Sequence, residues 1–249
     1  METIIKQARE LGTSAGVILP RKWLNKQVVI TLLLPSIKEI AKEVFAILAE
    51  KELNEETKGI YLVGSYSRGD YDMNSDIDLL VITCKTNKLI NHDNYEILLV
   101  SEDNFSKNLP ANLNYLSMLG EIKVILNKEL IEKYTNKKIK LNLREALKEN
   151  ERIFKINRES AEICEKTKRA VPDGIVYSVV LRLRELYIMN CLLAKKAYSK
   201  NDFIRVAGNK TYLAYIRIKG NRKEINDVSP IEIKGLLNLS EKWLKDLKK

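Results

Sequence analysis

The sequence predicts an α/β fold, a mixed sheet covered by helices, with a small β module before it and a helical bundle after it. Three observations predict this arrangement. Short apolar strands alternate with helical patterns between residues 36 and 135. Strand signals then stop, and helical periodicity continues to residue 249. The first 35 residues carry their own short strands and turns, and the apolar stretch KQVVITLLL predicts a strand over residues 26–34. We therefore predict three domains, at 1–35, 36–135 and 136–249.

The central segment opens with a helix pattern in which apolar residues recur from Ile37 to Leu48. Three apolar stretches follow and read as strands: GIYLVG, SDIDLLVIT and YEILLV. The polar stretch CKTNKLINHDN between the second and third is predicted to be a connection. A partly helical stretch then leads to a fourth strand, EIKVILN.

The last segment is predicted to form helices around an apolar core. Leu143, Leu147, Phe154 and Ala161 mark one helix, and the apolar run that follows Pro172 marks a second. A third begins with Ser229, Pro230 and Glu232, which have the spacing of a capping box with an N-terminal proline.

Aromatic and basic residues alternate shortly before that third helix. This mixture could stack a base and neutralise phosphates, or it could reflect tyrosines packed in a bundle beside a solvated basic turn. Both readings stay open for Tyr212, Tyr215, Arg217, Lys219, Arg222 and Lys223.

Composition excludes several classes of protein. Hydrophobic residues make up 45% of the 249 residues, enough for a packed core. No apolar run approaches the ~20 residues that cross a bilayer, and the first ten residues lack the apolar region of a signal peptide. Three scattered cysteines predict neither a disulfide framework nor a zinc site. With one histidine, His92, zinc and triad chemistry have little support. We expect a cytoplasmic protein without a membrane partner.

The net charge of +10 is concentrated in the second half of the chain. Residues 1–135 hold 16 Lys and Arg against 19 Asp and Glu, whereas residues 136–249 hold 27 against 14. A basic half is typical of proteins that bind polyanions. Solvated faces of lysine-rich helices explain the same numbers equally well, because acidic residues are interspersed.

Two aspartates stand at the start of the second predicted strand. Asp76 and Asp78 are two residues apart, so their side chains leave the same face of the strand and repel each other. Mg²⁺ between them would relieve that repulsion, since it binds through one or two carboxylates together with substrate phosphates. The pattern predicts a metal site for phosphoryl chemistry, with Mn²⁺ as the alternative ion.

The loop before these aspartates suits a phosphate. Gly64 allows close approach of the backbone, Ser65 offers a hydroxyl donor, and Arg68 follows one turn later. Two-metal chemistry requires a further carboxylate near the incoming hydroxyl. Glu96 is the one charged residue of the next strand, YEILLV, and is the candidate. Asp70 and Asp72 are predicted to be solvated loop residues.

Gly64-Ser65, ten residues, then Asp76-Ile77-Asp78 resembles the signature of the DNA polymerase β nucleotidyltransferase superfamily. The stretch GSYSRGDYDMNSDIDLLV is most similar to the minimal and archaeal nucleotidyltransferases. The resemblance covers about residues 36–135 and implies the nucleotidyltransferase fold. It makes Gly64 and Ser65 triphosphate contacts, Asp76 and Asp78 ligands of Mg²⁺, and Glu96 the third acid and a third metal ligand. That position more often holds Asp in the superfamily, so Glu96 is a departure.

The resemblance implies an enzyme that moves a nucleoside monophosphate from an NTP, most simply ATP, to a hydroxyl with release of pyrophosphate. The acceptor stays open among an RNA 3′ end, a protein side chain and a small molecule. One variant is the antitoxin role of minimal nucleotidyltransferases, which modify a partner toxin.

The stretch GTSAGVILPRKWLNKQVVI resembles the swapped-hairpin AbrB-like module. In that family such hairpins form dimers, and many bind DNA. The resemblance implies a homodimer formed through residues 1–35. It also supports a competing function: a DNA-binding regulator whose nucleotidyltransferase domain only senses nucleotide. The retention of both Asp76 and Asp78 argues against that alternative.

Overall fold

A computed structural model describes residues 4, 6, 8–30, 35–71 and 75–248. The chain forms two compact units, 1–36 and 37–249. The predicted further division of the second unit at residue 135 stays a prediction.

The first unit contains a small antiparallel hairpin. Strands β1 (Arg9–Leu11) and β2 (Ser14–Gly16) pair, and a 3₁₀ turn follows at Arg21–Trp23. The predicted strand over residues 26–34 is wrong for residues 26–30, which have no regular structure; residues 31–34 lie outside the described part. A strand needs a pairing partner, and the exposed Val29 (93%) and Ile30 (69%) have none within the described chain.

The second unit begins with a sheet and the helices around it. In chain order these elements are α1 (Ile37–Glu50), β3 (Thr57–Leu62), α2 (Gly64–Arg68), β4 (Ile77–Thr83), β5 (Lys88–His92), β6 (Tyr95–Ser101), α3 (Glu102–Asn108), α4 (Leu113–Leu119), β7 (Lys123–Leu126) and α5 (Lys128–Thr135). The four strands predicted in this segment are all present.

The five strands form one mixed sheet in the order β5-β6-β4-β3-β7. The central pair β4 and β6 is parallel, and the other three pairs are antiparallel. The mixed α/β architecture predicted from the sequence is confirmed. Strand β5 is the exception, since its residues were predicted to be a connection. It is a mostly exposed edge strand, which explains why its sequence is polar.

Each face of the sheet has its own apolar core. Ile77, Leu79 and Val81 of β4 face α1, whereas Leu80 and Ile82 face the opposite side. There they join a cluster formed with α3, α4 and α5. Because side chains alternate along a strand, Asp78 belongs to the face that carries Leu80, away from α1.

The remaining helices form the predicted bundle. They are α6 (Arg144–Lys166), α7 (Asp173–Leu193), α8 (Lys200–Ala207), α9 (Asn209–Lys219) and α10 (Pro230–Leu247). The predicted capping box is confirmed: the Glu232 amide donates to Ser229 Oγ at 3.3 Å, and the Ser229 amide donates to Glu232 at 2.9 Å. In the described residues, no helix is both long and apolar enough to cross a membrane.

An ion-pair network joins the start of α7 to the loop after α9. Arg217 donates to both carboxylate oxygens of Asp173, at 2.7 and 2.9 Å, and to Asp227 at 3.0 Å. The Ile225 amide also donates to Asp173, whose side chain is fully buried. These contacts favour a structural role for Arg217 over the phosphate contact considered above.

Candidate active site

The turn that follows β3 lies directly against Asp78. Val63 donates its amide to the Asp78 carbonyl at 3.0 Å, and Gly64 then begins the short helix α2 with a φ of 69°. A Cβ at Gly64 would lie 1.9 Å from Asp78 Oδ2. Glycine is therefore required at this position for two reasons: the backbone is left-handed, and Asp78 occupies the space that a side chain would need.

Asp78 and Glu96 lie opposite each other on neighbouring strands. They are register partners in the parallel pair β4 and β6, and register partners project from the same face of a sheet. Asp76 comes just before β4 and is exposed, as is Glu96, whereas Asp78 is partly buried. The sheet therefore brings the second predicted aspartate and the predicted third acid side by side, at one edge of the sheet face that carries Leu80.

The charges around Asp78 make its ionised form unfavourable. Burial, followed by the charge of Glu96, raises the pKa of Asp78 to about 6, and the charges of Asp76 and Glu121 act in the same direction. Lys219, at the end of α9, opposes this shift. The helical bundle thus places a cation near the carboxylates. A divalent cation would relieve the same repulsion.

Glu121, which the sequence analysis did not single out, holds the Gly64 turn. Its carboxylate accepts the Gly64 amide at 2.9 Å and pairs with Arg68 at 2.5 Å. Ser67 donates its hydroxyl to the Glu121 carbonyl. Glu121 precedes β7, more than fifty residues away in sequence, so only the pairing of β7 with β3 brings it here.

Arg68 is already engaged by protein carboxylates. Besides Glu121 it pairs with Asp70 at 3.1 Å, and both side chains are mostly buried. The prediction that Asp70 is solvated is wrong, because Asp70 also accepts the amide of Lys200 at the start of α8. Asp72 lies outside the described residues. Ser65 is partly buried within α2, and its predicted phosphate contact stays a prediction.

Two side chains of the helical bundle extend this cluster. The Arg68 guanidinium lies 5.1 Å from the centre of the Tyr198 ring, and the Arg184 guanidinium lies 5.3 Å from it. Arg184 also donates to the Tyr198 hydroxyl at 3.2 Å. Nothing in the local sequence pattern marked Arg184 or Tyr198. They lie on α7 and on the loop before α8, and packing alone brings them beside α2.

The carboxylates fit a divalent metal that binds together with its substrate. Among the described residues, no group of three or more His, Cys, Asp and Glu side chains forms a ready-made cage. The hard oxygens of Asp76 and Asp78 nevertheless match the coordination preference of Mg²⁺, which binds one or two carboxylates together with phosphate oxygens. Gly64 lies directly against Asp78, so the glycine turn and the carboxylate are held together at one place.

The fold and this site define a nucleotidyltransferase. The sequence model of the nucleotidyltransferase domain family matches residues 41–173, more than half of the chain. The chain belongs to this family, and the enzyme class inferred from the Gly-Ser and Asp-x-Asp motifs is confirmed. The match says nothing about residues 1–35, so the AbrB-like resemblance stays a prediction.

Solved structures of low identity also resemble the chain. A nucleotidyltransferase-like protein from Exiguobacterium sibiricum is 16% identical with a TM-score of 0.33, and the match covers 83% of this chain and 75% of that one. The spectinomycin adenyltransferase of Enterococcus faecialis, crystallised with ATP and spectinomycin, is 14% identical with a TM-score of 0.43, covering 83% and 98%. No curated protein matches the chain. The family assignment rests on residues 41–173.

Proposed function

We propose that the protein is a Mg²⁺-dependent nucleotidyltransferase that transfers a nucleoside monophosphate from an NTP, ATP in the first instance, to a hydroxyl of an RNA 3′ end or a protein side chain. The observation that carries this proposal is the direct pairing of Asp78 with Glu96 across β4 and β6, beside the Gly64 turn. The parallel strands β4 and β6 thereby supply one carboxylate, Asp78, to bind the metal and another, Glu96, to accept a proton.

The chemistry divides between these residues. The acceptor oxygen forms a bond to the α-phosphorus, the bond from that phosphorus to the α–β bridging oxygen breaks, and pyrophosphate leaves. Glu96 is placed to accept the acceptor hydroxyl proton, while the turn at Gly64 and Ser65 holds the phosphate chain. Bound Mg²⁺, held by Asp76 and Asp78 in a one- or two-metal site, would polarise the phosphoryl oxygens.

The distribution of charge along the chain indicates which acceptor to propose. The excess of Lys and Arg in residues 136–249 favours an RNA end over a protein side chain, because counterion release strengthens binding to a polyanion. Lys219, the cation that acts on Asp78, belongs to this basic half. We also propose that the enzyme is cytoplasmic. Transfer to a hydroxyl of a partner toxin would be a form of the same reaction.

A labelling experiment tests the proposal. The protein is incubated with each α-³²P NTP, Mg²⁺ and total cellular extract, beside an Asp76→Asn/Asp78→Asn double variant. Label that enters RNA or protein with the unmodified protein only is the expected result, and it reveals the acceptor class at the same time. Equal label with the double variant would refute the assignment of the aspartates. An absence of label, with NTP still bound, would favour a nucleotide sensor.

A further inference from the structure

Arg184 is a cation without an acidic partner. It lies on α7, is partly buried, and its hydrogen bond within the described residues goes to the neutral hydroxyl of Tyr198. No carboxylate of the described residues forms an ion pair with it. A guanidinium has five N–H donors and stays charged at any physiological pH. Most of its donor capacity is therefore unused.

Other arginines of the second unit form ion pairs with carboxylates, in contrast to Arg184. Arg182, two residues earlier on α7, pairs with Glu185 at 2.7 Å. Arg217 pairs with both Asp173 and Asp227. Arg68 pairs with Asp70 and Glu121. A partly buried charge without a counterion is costly unless a ligand supplies one.

A continuous set of contacts connects Arg184 to the phosphate-binding turn. Arg184 and Arg68 both lie against the Tyr198 ring, Arg68 pairs with Glu121, and Glu121 holds the Gly64 amide. Gly64 in turn contacts Asp78. Arg184 is therefore separated from Arg68, the side chain next to the turn, by the Tyr198 ring alone.

We propose that Arg184 binds the distal phosphates of the nucleoside triphosphate. This inference rests on the proposed function, in which the α-phosphate lies at Asp78 and the remaining phosphates extend past the Gly64 turn. The planar guanidinium forms paired hydrogen bonds with phosphate oxygens, so it supplies directed contacts that Arg68, already held by two carboxylates, does not. Phosphates of an RNA acceptor share this chemistry, and the test separates the two sources.

Binding to inorganic tripolyphosphate, to ATP and to a short single-stranded oligoribonucleotide is measured by calorimetry in the presence of Mg²⁺. Arg184→Gln is compared with Arg184→Lys and with the matched control Arg182→Gln from the same helix. Loss of charged hydrogen bonds should weaken tripolyphosphate and ATP binding about tenfold or more in Arg184→Gln. Arg184→Lys should recover part of this affinity, and Arg182→Gln should bind like the unmodified protein.

Three results would overturn the proposal: tripolyphosphate affinity within about twofold of the unmodified protein in Arg184→Gln, equal losses in both glutamine variants, or a loss confined to the oligoribonucleotide. Thermal unfolding of every variant checks the fold. If Arg184→Gln does not fold, Arg184→Lys and Tyr198→Phe carry the test, since the latter keeps the ring and removes the hydroxyl that orients Arg184. Because binding is measured, phosphate binding without transfer would contradict the proposed function and leave the role of Arg184 standing.

Discussion

Gly64 and Asp78 are in such close contact that a Cβ added to Gly64 would lie 1.9 Å from the Asp78 Oδ2 atom. The first residue of the proposed phosphate-binding turn and the proposed metal ligand therefore form one packed unit. Any side chain at Gly64 must move the carboxylate, the turn or both.

Gly64→Ala should abolish transfer and lower the free energy of unfolding by about 1–3 kcal/mol, because the new methyl group meets Asp78 and the φ of 69° disfavours alanine. The measurements are transfer activity and urea unfolding. Gly235→Ala is the matched control: Gly235 lies inside α10 with open space around it, so alanine should stabilise the helix by up to about 1 kcal/mol. Equal effects of the two changes would contradict the contact between Gly64 and Asp78.

Asp78→Asn should abolish transfer and raise the melting temperature in Mg²⁺-free buffer. The folded protein holds this carboxyl at a pKa of about 6, above its ordinary value, so its ionised form destabilises the fold at neutral pH. Removing the charge should raise the melting temperature by a few degrees. Asp103→Asn, in the exposed first turn of α3, should leave transfer unchanged and lower the melting temperature slightly, because a negative charge near a helix N-terminus is stabilising.

Glu96→Gln should slow transfer strongly while NTP binding persists, because the proposed role of Glu96 is to accept a proton from the acceptor. Turnover and the dissociation constant for ATP are measured separately. Unchanged turnover would make Glu96 an ordinary strand residue.

Glu121→Gln should destabilise the protein by about 1–2 kcal/mol, since Arg68 loses a mostly buried partner but keeps Asp70. For a chain of this size that corresponds to a fall in melting temperature of about 2–8 °C. Glu145→Gln removes an exposed pair with Lys148 and should change stability by less than about 0.5 kcal/mol. A Glu121 variant as stable as the Glu145 variant would show that the pair contributes nothing.

Asp173→Asn should destabilise the protein by about 3 kcal/mol at pH 7, because it removes one partner of a buried ion pair. Hydrogen bonds from Arg217 lower the pKa of Asp173, although burial opposes the shift. Because the pKa of Asp173 is lower in the folded protein, its ionised form contributes to the free energy of unfolding. This contribution is fully present above the unfolded pKa of about 3.9 and is lost as pH falls through the lower folded pKa. Urea unfolding between pH 7 and pH 2.5 should therefore show the difference shrinking below about pH 4. A constant difference would contradict the assignment.

Deletion of residues 1–34 should convert a dimer into monomers in light scattering, if the first unit forms the homodimer that its AbrB-like resemblance implies. The exposed Val29 and Ile30 are consistent with a second copy that covers them. A dimer that persists after the deletion would assign the interface to residues 35–249.

The sequence by itself determined the class of protein and identified the residues proposed for its chemistry. The Gly-Ser turn, the Asp76 and Asp78 pair and the four strands could be predicted, because each depends on residues within a few positions of one another. The position of Glu96 beside Asp78 could also be predicted, since consecutive strands commonly neighbour each other in a sheet. The capping box of α10 is local in the same way.

Only the tertiary structure decided which distant residues complete the site. Glu121 comes beside Gly64 because β7 pairs with β3, and Arg184 and Tyr198 come beside Arg68 because the bundle packs against the sheet. The edge strand β5 escaped prediction because an exposed strand has a polar sequence. Asp70 was misread for a related reason: an aspartate in a loop has the same local pattern whether it is solvated or buried against an arginine, and burial depends on the whole fold.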